Sequence, residues 1–89
     1  MKEKKIIISN KLGLHARAAA KIVTLTNKFQ SIIEIANDDK KADAKSIMKI
    51  LMLAAPQGTE IKITASGKDE STAIKSLENL IKAKFNEEH

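Results

Sequence analysis

The segment Thr59-Glu60-Ile61-Lys62-Ile63-Thr64-Ala65 alternates without a break. Ile61, Ile63 and Ala65 fall on one side of an extended chain, and Glu60, Lys62 and Thr64 on the other. A strand with one dry and one wet face belongs to a sheet covered on one side only. Residues 31–36 repeat the pattern, with Ile33 and Ile35 on one face and Glu34 on the other. Residues 5–9, holding Ile6, Ile7 and Ile8, read as a buried strand. After a turn at Asn37-Asp38-Asp39, residues 40–44 read as a lysine-rich edge strand.

Between these strands the period changes to 3.6. Residues 16–27 predict a helix whose apolar face is Ala19, Ile22, Val23 and Thr26. A short helix over 47–53 begins after Ser46 and stops before Pro56 and Gly58. Gly67 breaks the last strand, Asp69 is a suitable N-cap, and a final helix runs to about Phe85 on the stripe Ile74, Leu77, Ile81 and Phe85. Lys82 and Lys84 suit its C-terminal dipole. The order βαββαβα predicts an α/β (α+β) open-faced sandwich, a four-stranded antiparallel sheet covered on one face by three helices. Residues 1–89 read as one domain, with no linker or repeat.

Composition narrows the function. Hydrophobic residues are 43% and charged residues 30%, too apolar for disorder, and no run is long enough to cross a bilayer. The absence of cysteine excludes a disulfide framework, a thiolate zinc site and a cysteine nucleophile, and it suits a reducing cytoplasm. Lysines at the start are followed by only three isoleucines, which is not a secretory signal. The expected location is cytoplasmic, with no membrane insertion. The net charge of +5 favours an anionic partner, a phosphate group included. Nucleic acid fits poorly, because the lysines are dispersed and the only aromatics, Phe29 and Phe85, fall outside the strands.

The chemistry-bearing stretch is Gly13-Leu14-His15-Ala16-Arg17-Ala18-Ala19-Ala20. Histidine occupies the N-cap position, where Ser, Thr, Asn or Asp would cap better. Behind it, the N–H groups of Ala16 and Arg17 open the first turn, a natural anion site. Arg17 is the one arginine among sixteen basic residues, and its planar fork matches phosphate oxygens. A nucleophilic nitrogen, a guanidinium and a helix N-terminus aimed at one place describe a group that accepts and releases a phosphoryl. Each residue also has a plainer reading: a solvated histidine, a solvated arginine, a glycine that permits a turn. No metal site is expected, since His15 has no second histidine or cysteine near it, and His89 at the terminus is given no role.

The GLHAR segment followed by alanines, together with Ala44-Lys45-Ser46-Ile47-Met48, resembles the histidine-containing phosphocarrier (HPr) family of the bacterial phosphotransferase system. The likeness extends over the whole chain. It implies the same open-faced sandwich and no cofactor. It further implies that His15 takes a phosphoryl group on Nδ1 from phospho-enzyme I, itself charged by phosphoenolpyruvate, and passes it to downstream components, with Arg17 steadying the phosphohistidine. Such a protein is a carrier and a substrate of its partners, not an enzyme, and is expected to be a monomer. An alternative is a purely regulatory module, of nitrogen type or from an incomplete phosphotransferase system, read through its phosphorylation state.

Ser46 reads on its own as the N-cap of the short helix. The resemblance implies a second role, as a target of a serine kinase/phosphorylase that lowers transfer at the histidine. Ile47, Met48, Leu51 and Met52 are the apolar residues of that helix, and Ile47, Met48 and Leu51 are expected to stay partly exposed and dock partners. Two positions depart from the family pattern. Ala18 stands where many members have proline, and Lys49 where those with the serine motif often have glycine.

Overall fold

The computed structural model describes residues 1–86. It holds β1 (Lys2–Ile7), α1 (Ala16–Thr26), β2 (Ile32–Asn37), β3 (Lys40–Asp43), α2 (Ile47–Met52), β4 (Glu60–Ser66) and α3 (Glu70–Lys82), closed by a 3₁₀ turn at Lys84–Asn86. His89 lies outside the described residues. The strands lie in the order β1-β4-β2-β3, and every neighbouring pair is antiparallel. The expected element order and sheet are therefore observed.

Alternation in β4 explains the layering. Its inner residues Ile61, Ile63 and Ala65 stand opposite Ile6 of β1 and Ile35 and Ile33 of β2. All six are buried, and Ala18, Ala19 and Ile22 of α1, Ile50 of α2 and Leu77 and Ile81 of α3 close over them. Each fully buried isoleucine or leucine contributes roughly 1.5–3 kcal/mol. On the outer face Glu3, Lys5, Glu34 and Lys41 stay in water, as expected of a sheet covered on one side. The β2–β3 turn is two residues, Asp38 and Asp39, because Asn37 still pairs with Lys40. Asp38 takes a positive φ of 56°, which a short polar side chain tolerates in a tight hairpin.

Three expectations need correction. The first strand spans Lys2–Ile7 instead of 5–9, because the lysine-rich start pairs its backbone with β4. Ile7 is 58% exposed, opposite Glu60. Alternation can turn only Ile6 and Ile8 inward. Asp69 occupies the N-cap position of α3 but makes no capping bond. Its carboxylate instead accepts from Gln30 N at 2.9 Å, Ser31 N at 3.0 Å and the Ser31 hydroxyl. The last helix ends at Lys82. Phe85 does join the core, but through a left-handed step (φ 55° at Lys84 and 56° at Phe85) instead of another helical turn. The Lys21 ammonium donates to the Phe85 carbonyl and holds that step in place.

These contacts fix the helix directions. Asp69, at the start of α3, grips the segment just after α1, while Lys21, midway along α1, reaches back to Phe85, three residues past the end of α3. The two helices therefore run antiparallel. Thr26 Oγ1 donates to Ala44 O at 2.8 Å, and Lys45 Nζ donates to Phe29 O at 2.8 Å. They join the end of α1 to the start of α2. Leu14 N donates to Ala55 O at 2.9 Å, joining the opposite ends, so α1 and α2 are antiparallel too.

The bond from the Ser31 hydroxyl, with those from the Gln30 and Ser31 amides, holds the Asp69 carboxyl below its ordinary 3.8. A depressed folded-state pKa stabilises above the unfolded value and loses that contribution as pH falls through the folded one. Asp69→Ala should therefore lower the melting midpoint by several degrees at pH 7, with the gap to wild type closing in acid. Circular-dichroism melts at neutral and acid pH test this, and an unchanged gap would count against it.

Candidate functional site

The loop before α1 is held by its own backbone. Gly13 N donates to Asn10 O at 3.2 Å, and Asn10 Nδ2 donates back to Gly13 O at 2.9 Å. His15 N donates to the same Gly13 carbonyl at 2.9 Å. Gly13 has a φ of +67°, and a Cβ there would lie 2.4 Å from Ala55 O and 2.8 Å from Pro56 Cα. Only glycine meets both demands, a left-handed backbone and a contact with no room for a side chain. Leu14, buried, then points into the core and anchors the step into the helix.

His15 is the N-cap residue of α1, with extended φ and ψ of −84° and 179°. Its carbonyl accepts from Ala19 N at 2.9 Å, but its side chain makes no capping hydrogen bond to the helix. The imidazole is half-buried at the helix entrance. Ala16 and Arg17 follow on the surface, and their N–H groups belong to the first turn, which has no intrahelical acceptor. An imidazole nitrogen, two backbone donors and a guanidinium two residues on thus share one end of α1. The helix dipole there favours added negative charge. Ala18 is fully buried, so at this position the first turn is held by packing.

Ser46 is elsewhere. It is the N-cap of α2, and its hydroxyl accepts from Lys49 N at 3.3 Å, as the capping reading expects. Because α1 and α2 are antiparallel, Ser46 sits beside the C-terminal end of α1. Eleven residues at 1.5 Å give α1 a length of about 16 Å. The structure brings His15 and Arg17 together and leaves Ser46 near the other end of the helix. Between those ends α2 exposes Ile47 at 39%, Met48 at 69% and Met52 at 70%, while half-buried Leu51 packs on the core. Leu12, also exposed, adds an apolar side chain in the loop before His15. Neither Leu12 nor the loop-locking Asn10 stood out in the sequence; an asparagine three residues before a glycine is the turn signal that would have pointed to Asn10. Among the described residues no group of three or more His, Asp or Glu could hold a metal ion, and no helix is long and apolar enough to cross a membrane.

A family model described as "PTS HPr component phosphorylation site" matches residues 2–83. The chain is 47% identical over 88 residues to the phosphocarrier protein HPr of Xylella fastidiosa, covering 99% of each. It is 41% identical over 85 residues to the phosphocarrier protein NPr of Shewanella violacea, covering 96% of this chain and 93% of the relative. The crystal structure of HPr-C-His from Thermoanaerobacter tengcongensis superposes with a TM-score of 0.96 at 52% identity, covering both chains fully. A dimer of HPr from that organism has also been solved, with a TM-score of 0.78 at 52% identity, covering 98% of this chain and 100% of that one.

The Gly13 contact makes a direct prediction. Gly13→Ala forces an alanine into a left-handed φ and against the Ala55 carbonyl, so it should destabilise the fold by about 2 kcal/mol or more. Urea denaturation measures this. A cost below about 0.5 kcal/mol would mean that the 13/55 contact yields freely.

Proposed function

Because the chain belongs to the HPr family of phosphotransferase-system phosphocarriers, we propose that His15 is its phosphoryl acceptor, charged by phospho-enzyme I and discharged onto downstream acceptors. The observation that carries this is the half-buried imidazole at the N-terminus of α1, beside the first-turn N–H groups and Arg17. In the forward step the Nδ1 lone pair attacks the phosphorus held by enzyme I. An N–P bond forms on His15 as the donor's bond to phosphorus breaks. Arg17 and the N–H groups of Ala16 and Arg17 stabilise the oxygens of the bound phosphoryl. The second transfer reverses this at the acceptor. The chain is then a protein substrate of its partners and turns over nothing of its own.

Ile47, Met48 and Leu51 supply the partner-docking surface in this reading, and Ser46 is its regulatory position. A phosphate on Ser46 would sit at the positive end of α2 and leave the helix formed. Since Ser46 is about a helix length from the His15 end of α1, its charge would act on docking partners and not on the imidazole directly. The reading takes residues 1–89 as one cytoplasmic phosphocarrier domain that works as a monomer. The likeness to an NPr favours one second reading, a regulatory carrier of nitrogen type that uses the same residues with different partners.

Phosphorus NMR of the protein with enzyme I, phosphoenolpyruvate and magnesium tests the assignment. An acid-labile phosphohistidine signal should appear and be absent from a folded His15→Ala variant; its persistence there would place the acceptor elsewhere. Arg17→Ala should keep the signal and slow its appearance about tenfold. Ser46→Asp should slow phosphoryl acceptance, while Ser46→Ala should leave it near wild type and cost roughly 0.5–1 kcal/mol of stability through the lost cap.

A further inference from the structure

A cavity lies on the other side of α1, away from α2. It is an open groove of about 640 Å³ between α1 and α3. Leu25 and Leu80, both half-buried, form its floor with Ala20 and Ala83. Arg17, Lys21 and Lys28 line its α1 side, and no carboxylate lines it among the described residues. Glu78, on the adjacent helix α3, is turned away into ion pairs with Lys4 at 3.6 Å and Lys82 at 2.9 Å. The groove is thus apolar at its base and carries one sign of charge along one edge.

We propose that this groove docks an acidic amphipathic helix of a partner protein. Arg17, Lys21 and Thr24 or Leu25 follow the 3–4 spacing of one face of α1, and Lys28 continues that row in the turn just past Thr26. From Arg17 to Thr26, the end of α1, that face runs about 14 Å, and Lys28 extends it. A small anion would touch one end only. A helix with a leucine stripe flanked by glutamates would lay its apolar side on Leu25 and Leu80 and set its carboxylates against the three cations. Ser76 and Asn79 on α3 offer hydrogen-bonding groups along the opposite rim. The surface is distinct from the exposed patch of α2, and docking there needs none of the phosphoryl chemistry proposed for His15. It does share one residue with that site, Arg17, which stands where the groove meets the N-terminal end of α1.

The probe is a synthetic peptide of about four helical turns with one leucine stripe flanked by glutamates, titrated into isotope-labelled full-length protein and followed by amide NMR. Saturable shifts should map to Ala20, Lys21, Thr24, Leu25, Leu80 and Ala83 and weaken as salt rises. Thr24→Glu with Lys28→Glu, both exposed positions, should leave the circular-dichroism melt in place and weaken binding about tenfold. Several outcomes would overturn the proposal: no saturable shifts, shifts centred on Ile47, Met48 and Met52, equal binding by a scrambled peptide of the same composition, or wild-type affinity in the double variant.

Discussion

The site depends on one backbone contact, that of Gly13 and Leu14 with Ala55 and Pro56. Two loops meet there, one leading into α1 and one leaving α2, with a hydrogen bond between them and no room for a side chain. Ala54, just before the contact, adopts a φ of 49° although it is not glycine, a cost of order 1 kcal/mol that the surrounding contacts offset. Through this junction the entrance of α1 is referred to the rigid sheet and to α2 together. His15 therefore takes its position from main-chain geometry, and its own side chain stays clear of capping the helix.

Much of this was legible in the sequence, and the reasons differ by residue. Inner and outer faces of β2 and β4 followed from strict alternation, which a one-sided sheet enforces. Ser46 as a cap followed from local chemistry alone. The start of β1 did not, because Lys2 to Lys5 look solvated and their backbone pairs with a strand some sixty residues away. Asp69 failed for a related reason. A good capping residue was taken up by a tertiary partner, the turn at Gln30 and Ser31, which no local pattern announces. Phe85 was correctly placed in the core, but the left-handed step that puts it there has no sequence signal, since neither Lys84 nor Phe85 favours a positive φ. At the candidate site His15 and Arg17 stood out because each breaks a preference, a poor cap and a lone arginine. Asn10 and Leu12 did not, because their importance comes from what they face.

The antiparallel setting of α1 against both neighbours gives the molecule two different flanks. On the α2 side the exposed surface is apolar, with Ile47, Met48 and Met52 in water. On the α3 side it is a basic-edged groove. His15 and Arg17 lie at the α1 end common to both, whereas Ser46 lies near the opposite end of the first flank. Charge added at Ser46 and charge added at His15 would therefore change different parts of the surface, and a partner could read them separately.

Strand order has a consequence for the chain's birth on the ribosome. One of the two interior positions in the sheet belongs to β4, the last strand to be made, with β1 on one side and β2 on the other. Until residues 60–66 emerge, β1 has no partner, and the only pairing within reach is the short β2–β3 hairpin. An isolated hairpin of that size is marginal in water. The nascent chain must then carry its first isoleucines unsheltered through most of synthesis. The sheet would close in one late event, when the arriving strand threads its hydrogen bonds between two waiting neighbours.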